Sequence, residues 1–415
     1  MKRNIFTPAD ILLPAGGDFT RWSTVACDQF TSDPAYWDEV SRLVGDAPST
    51  LNLMLPEAWL SRPEAEDAPE RINATMAEYL ANGVFTCLKD SYMYVERTFS
   101  DGTLRRGLVG AIDLDAFDYS EDSMSLVHST EHTVAERLPA RVEIRKQAPL
   151  EMPHIMLFID DREDAVMNLA AKGAQAPAYD FDLMCGGGHL KGCPITGFNA
   201  MLVTAMLDEL TDKDVLEKKY GFSQGAMVYA VGDGNHSLAA AKKCWEELAQ
   251  SLTAKERETH PARFALVELV NIHDSGVTLH PIHRVLFGVD AADFVRAAED
   301  ELFSGQGTPV TLVTAQGSCT KFVSDGSIGM VIEDVDAFCQ KYAKAHGATV
   351  DYIHGDAEAE QYGAKSGNAA ILLPGMEKQE LFTSVMDTGV FCKKSFSIGE
   401  ASEKRYYMEC RKIQP

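Results

Sequence analysis

The chain has 415 residues, 45% of them hydrophobic and 24% charged, with a formal net charge of -24. That length exceeds the range in which a single core keeps growing, so two lobes are expected, and the composition is that of an ordinary globular protein. The acidic balance argues against a nucleic-acid-coating surface and against docking on an anionic membrane, whereas a small anionic ligand needs only local donors.

The elements are read in chain order. A helix is predicted from a cap at Ser32 or Asp33, with Pro34 in the first turn and Trp37, Val40 and Val44 on one face. Ile72, Met76, Tyr79 and Leu80 make a second helical stripe that stops at Gly83. Residues 91–114 read as two strands turning at Asp101-Gly102. "HIMLFIDD" (154–161) and "ARFALVELVNI" (262–272) are apolar runs of the kind that fill central strands. Between them, Ala226 to Val231 reads as a strand and Leu238, Ala241, Trp245 and Leu248 as a helix beginning near Ser237. Beyond about Asp290 the pattern is a helix at 291–303, short strands near Lys321 and Met330, a helix at 334–347 and strands at 350–355 and 369–375. This alternation predicts a mixed α/β (α+β) fold. The expected division is a main lobe at 1–290, a smaller α/β lobe at 291–390, and a basic segment at 391–415 returning to the main lobe.

Nine cysteines, odd in number and without a Cys-x-x-Cys pair, suggest no disulfide framework. The first residues carry no signal-peptide core and no run is long enough to span a membrane, so a cytoplasmic location is expected. The glycosylation sequons at Asn73 and Asn235 are set aside on that ground. Nothing in the pattern sets an oligomeric state.

Most chemistry is concentrated in "GDGNHS", Gly232 to Ser237, at the predicted strand-to-helix junction. A helix N-terminus offers unpaired N–H groups and the positive end of its dipole, and Gly232 and Gly234 let backbone approach a ligand. The stretch therefore suits a phosphate, with His236 donating to an oxygen and Asp233 holding Mg²⁺ or accepting a proton. A plain turn capped by Asn235 or Ser237 fits the composition equally well.

Four further clusters stand out. His128, Glu131, His132, Thr133, Glu136, Arg137, Arg141 and Arg145 crowd one span, either as a base with phosphate-binding cations or as a solvated helix start capped by Ser129 or Thr130. Cys185, His189 and Cys193 have zinc-type chemistry but not zinc-knuckle spacing. Gly187 and Gly188 read better as a flexible loop presenting N–H groups. His280, His283 and Arg284 end a strand-like run, where Arg284 suits either a bound phosphate or a buried structural pair. Lys393, Lys394, Lys404, Arg405, Arg411 and Lys412 form a basic block in an acidic chain, usually only a solvated face, although the Ser-Phe-Ser-Ile-Gly core from Ser395 suggests a phosphate-facing loop.

Taken together, "RRGLVGAIDLDAFDYS", "PHIMLFIDD", "YDFDLMCGGGH", "GDGNHSLAAAK", "HPIHR" and "KKSFSIGEASEKRYYMECRKI" resemble, in order and over nearly the full length, the domain-of-unknown-function 1015 family. The family's usual form at Asp233 to Ser237 is Asp-Gly-His-His-Arg or Asp-Gly-Asn-His; here Asn235 takes the first histidine position and Ser237 the arginine position. The junction is also similar to the nucleotide-binding turn of the ParB/sulfiredoxin superfamily, which includes free serine kinases. That resemblance implies a ParB/sulfiredoxin-like core in the first lobe and a phosphotransferase acting on a small metabolite such as free serine, with ATP or ADP as donor and Mg²⁺. Phosphate would lie on Gly232, Gly234, Asn235 and Ser237, with Arg284, Lys394, Ser395, Lys404 and Arg405 completing the anion pocket. Glu131 would be the base, Asp233 would hold Mg²⁺ or orient the acceptor, and His236 would stabilise transferring charge; His128, Gly187, Gly188, His189 and His283 are further pocket candidates. A phosphohydrolase acting on a metabolite such as phosphoserine, or a non-catalytic sensor, would use the same donors.

Overall fold

The computed structural model describes residues 4–120, 123–132 and 138–415, so Thr133, Glu136 and Arg137 lie outside the described residues. The chain divides into two units, one of Met1–Ser129, Thr133–Val277 and Glu400–Pro415, the other of Thr130–His132 and Thr278–Gly399. Both mix helices and sheet, which makes the protein mixed α/β. Leu279–Phe287, read from the sequence as part of the main lobe, belongs to the second unit because its strand partners are Thr349–His354 and Asn368–Leu372.

Among the described residues, the first unit holds an eleven-stranded sheet. Its path runs Phe117–Asp118, Val127–Ser129, Tyr229–Asp233, Met156–Ile159, Phe264–Asn271, Leu104–Asp113, Phe85–Thr98, His189–Thr196 and Tyr179–Asp182. The apolar runs at 156–159 and 264–271 occupy its middle, as strands buried on both faces must. The hairpin turns at Gly102, whose φ of +87° suits a residue without Cβ.

Local chemistry explains the helices. The Pro34–Val44 helix is capped by Asp33, whose carboxylate accepts the Tyr36 N–H, and it buries Trp37, Val40 and Val44. Ala68–Ala81 buries Ile72, Met76 and Tyr79 in the same core cluster. In the second unit, Met330 lies within the Ile328–His346 helix, not in a strand. Ser327 caps that helix, so the helix read from the sequence at 334–347 begins earlier, and Val331 joins Val335, Phe338 and Tyr342 in its buried stripe.

The segment 400–415 is fastened to the first unit through buried charge. Arg405 pairs with Glu268 at 2.7 Å and Glu409 at 2.6 Å, and Arg411 donates to Glu151 at 2.7 Å. Arg97 and Arg105, themselves buried, donate to the Ser402 and Glu403 carbonyls at 3.0 and 3.1 Å. Burial disfavours the Arg405 guanidinium, yet the Glu409 and Glu268 charges outweigh it and raise its pKa. All nine cysteines are free thiols, and among the described residues no helix is long and apolar enough to cross a membrane.

A buried pair that loses one member leaves an uncompensated charge, at a cost of about 3–5 kcal/mol. Glu268→Ala is therefore expected to lower the urea midpoint substantially. Removing Glu39 from its exposed pair with Arg42 should leave the midpoint unchanged in the same titration.

Candidate functional site

The Tyr229–Asp233 strand pairs with Val127–Ser129 on one side and Met156–Ile159 on the other. Register with the latter shifts between Val231 and Asp233, and the chain then turns directly into the Asn235–Ala249 helix. Gly234 makes that turn at φ +80°, and a Cβ there would come within 2.9 Å of the Ile155 Cα, so glycine is required both by conformation and by space. The helix begins at Asn235, two residues earlier than the sequence pattern suggested. No side chain caps it, so neither Asn235 nor Ser237 is the N-cap. The Asn235 side-chain oxygen is buried without a hydrogen-bond partner, while His236 and Ser237 are half-buried on the first turn.

Three segments far apart in sequence converge beside this turn. Lys404 places its ammonium 3.2 Å from Asp233 Oδ2, and Asp233 Oδ1 accepts the Gly234 N–H at 2.8 Å. His154 lies between Asp28, 3.4 Å from its Nε2, and the Tyr407 hydroxyl, 2.9 Å from its Nδ1. The Tyr407 oxygen also accepts the Cys27 N–H at 3.3 Å. Burial opposes a charge on His154, but Asp28 and then Asp233 hold its pKa above the ordinary 6.5. Desolvation likewise opposes ionisation of Asp28, and His154, a Gln29 hydrogen bond and Lys404 override it, keeping the carboxyl below the usual range. None of Asp28, His154 and Tyr407 was singled out from the sequence, where each stands alone.

A cavity of ≈ 210 Å³ opens at the same place. Leu53, Met54, Met76, Ile144 and Met152 give it an apolar wall, and Cys27, His154, Ser237 and Tyr407 a polar end. Its flank is braced by ion pairs of Arg141 with Glu57 and of Arg145 with Glu151. An apolar bed with a few converging polar groups is the usual form of a small-molecule site.

Other candidates are engaged elsewhere. Arg405 is buried against Glu268 and Glu409, so it braces the core under Lys404 rather than lining an anion pocket. Gly187 packs where a Cβ would strike the Tyr406 hydroxyl, and Gly188, at φ +84°, packs against the Thr98 carbonyl. These glycines permit close packing of protein on protein; the Gly187 N–H itself is taken by the Met184 carbonyl. His189 bridges Asp182 and Asp180 at 2.7 and 2.6 Å, and the Asp182 hydrogen bond raises its pKa. His128 is buried beside Ala230, its Nε2 has no partner, and burial lowers its pKa; Ser129 is in the same strand and starts no helix. Among the described residues no cluster of three or more His, Cys, Asp or Glu side chains is placed to hold a metal ion.

The second unit contains Glu131, His283, Arg284, Lys394 and Ser395. Arg284 is fully buried, bonded to Asp336 at 2.9 Å and to the carbonyls of Ile282 and Lys394 at 2.7 and 3.0 Å, so it fixes the 392–395 loop. Glu131 accepts the Ser395 N–H at 3.1 Å, and the Ser395 hydroxyl donates to the Cys392 carbonyl. His283 accepts the Leu373 N–H and meets Asp356 at 2.9 Å, and burial lowers its pKa. Lys394 is exposed, with a φ of +57° and its ammonium 5.8 Å from the Tyr352 ring.

The Asp28–His154 pair has a defined pH signature. A raised histidine pKa stabilises fully below 6.5 and its contribution fades as pH climbs through the folded value; a lowered aspartate pKa stabilises above 3.8 and fades as pH falls. The stability lost in His154→Gln should therefore be greatest between about pH 4 and 6.5 and shrink on both sides, measured by urea titration across pH.

A search of curated proteins gives no match. Similarity to solved structures is remote. It includes a free serine kinase variant in complex with ADP, at TM-score 0.39 and 12% identity over 73% of this chain and 91% of that one. A conserved hypothetical protein from Pyrococcus furiosus scores 0.35 at 12% identity over 73% and 94%, and a C-terminally truncated SbnI from Staphylococcus aureus 0.34 at 10% over 70% and 82%. The sequence itself matches, over residues 11–358, the family described as protein of unknown function, DUF1015. That span is most of the chain, and the chain belongs to the DUF1015 family.

Proposed function

We propose that the protein is a phosphotransferase for a small hydroxylated metabolite of the free-serine kind, with ATP or ADP as donor. The observation that carries this reading is the uncapped helix N-terminus at Asn235, which opens beside Lys404 and His154 onto a partly apolar cavity. Phosphate oxygens would meet the first-turn N–H groups and the Lys404 ammonium, while the nucleoside would lie against Met54, Met76 and Met152.

Phosphoryl transfer depends mainly on positioning and on cations aimed at developing charge. Lys404 supplies one such cation, and the His154 imidazolium, held charged by Asp28, supplies another. Asp28 positions that imidazolium by keeping it charged, and Glu131, the base expected from the sequence, belongs to the second unit. Mg²⁺ enters the proposal as an ion carried by the nucleotide phosphates, which usually retains water and takes only one or two protein carboxylates. Asp233 is the carboxylate at hand, although one oxygen faces Lys404 and the other the Gly234 N–H.

Phosphorus NMR tests the proposal on purified protein with Mg²⁺ and ATP or ADP, with and without serine, and on phosphoserine alone. Serine-dependent loss of the nucleotide signal is the expected result. Phosphate released from phosphoserine alone would replace the kinase with a hydrolase, and nucleotide binding without turnover would make the protein a sensor. With turnover in hand, Lys404→Ala is expected to lower it by about 10²–10³-fold, the usual loss for a group that stabilises transition-state charge. Asp28→Asn is expected to lower turnover and to make it fall at lower pH, because the variant removes the charge that holds the His154 imidazolium.

A further inference from the structure

The Gly197–Glu209 helix, in the first unit, is apolar on both faces. Its inner face buries Ala200, Val203, Thr204 and Leu207. Its outer face shows Phe198, 70% exposed, and Met201, 67% exposed, with Leu202 and Ala205 completing an i, i+3, i+4, i+7 stripe. No charged residue occurs from Gly197 to Leu207, in a chain where nearly one residue in four is charged. A contiguous exposed apolar stripe of this kind marks an association surface.

Charge at the helix ends selects the occupant. The first turn has no acid and the last turn no base; instead Asp208 and Glu209 stand at the negative end of the helix dipole. Exposed Lys172 closes the neighbouring Ala165–Gly173 helix, whose Gly173 carbonyl accepts the Asn199 amide at 3.2 Å, so one positive charge lies near the N-terminal end. The stripe is thus positive at one end, negative at the other and uncharged between. An antiparallel copy of the same helix complements it throughout.

We propose that two copies of this chain associate through this helix about a two-fold axis passing near Met201 and Leu202. In that register Phe198 of each copy covers Ala205 of the other, a large side chain against a small one. Glu209 of each copy then reaches just past Gly197, the first residue of the other's helix, at the end where Lys172 lies, so an acid meets each positive dipole end. Such an interface is isologous and closed, and its uncharged centre avoids the repulsion that a net charge of -24 imposes on most other contacts between copies. An anionic membrane face is a poorer occupant, because the stripe has one flanking lysine and two acids.

Analytical ultracentrifugation of the full chain tests this from about 0.5 to 50 µM, where an interface of modest area should dissociate. A monomer–dimer equilibrium is expected for the unaltered chain. Phe198→Glu combined with Met201→Glu should give a monomer throughout; both side chains are exposed, so circular dichroism and the thermal midpoint should not change. Lys172→Glu and Glu209→Lys should each weaken the dimer by about tenfold, and the two together should restore it. A monomer at every concentration, or a dimer that survives the two glutamates, overturns the proposal; failure of the charge swap to restore association overturns the antiparallel register.

Discussion

The pairing of Arg405 with Glu268 and Glu409 is the constraint on which the candidate site rests. A guanidinium buried in the first unit needs acceptors there, and Arg405 has two carboxylates, one from the centre of the large sheet and one from its own segment. The pair fixes the backbone of residues 400–415 against that sheet, aided by Arg97 and Arg105 on the Ser402 and Glu403 carbonyls. Lys404 and Tyr407 flank Arg405 in this segment. The position of the ammonium that meets Asp233, and of the hydroxyl that meets His154, therefore follows from a charge balance that touches no ligand.

The site combines two kinds of order. One is backbone order: a register shift in a strand, a glycine at positive φ and an uncapped helix, all encoded within six consecutive residues. The other is long-range, because Asp28, His154, Asp233 and Lys404 come from four separate segments and are tied by mutual charge. Between them lies the largely apolar wall of the cavity, a low-dielectric surface beside which such charges act more strongly than they would in bulk water.

What could be read from the sequence follows this distinction. The helix at Pro34–Val44 was legible because cap, proline and apolar period agree, and the hairpin was legible from Asp101-Gly102. The 334–347 part of the Ile328–His346 helix was legible, but its opening turns were read as a strand because Gly326 and Gly329 flank the start, although Ser327 is the cap that could have revealed it. The turn at Gly232 to Ser237 announced itself because its parts are contiguous. Asp28, His154 and Tyr407 did not, since a lone aspartate, histidine or tyrosine has no local signature and acquires meaning only when the fold gathers it. Arg284 and Arg405 show the reverse error: residues suited to phosphate are equally suited to buried carboxylates and carbonyls, and only burial distinguishes them. Glu409, four residues after Arg405, was the available hint.

The chain order of this segment has a kinetic consequence. Residues 400–415 follow the whole second unit in sequence, yet they supply Lys404 and Tyr407 to the first. The first unit therefore cannot finish its site while it is being synthesised; more than a hundred residues of the other unit must emerge before the closing strands and salt bridges can form. Until then Glu268 lacks Arg405 and Glu151 has only Arg145, so the incomplete unit carries uncompensated charge in its core. Contacts between such distant positions also carry a large loop-closure cost and form late. Completion of the site thus acts as a checkpoint: a molecule with Lys404 in place is one whose second unit has already been made.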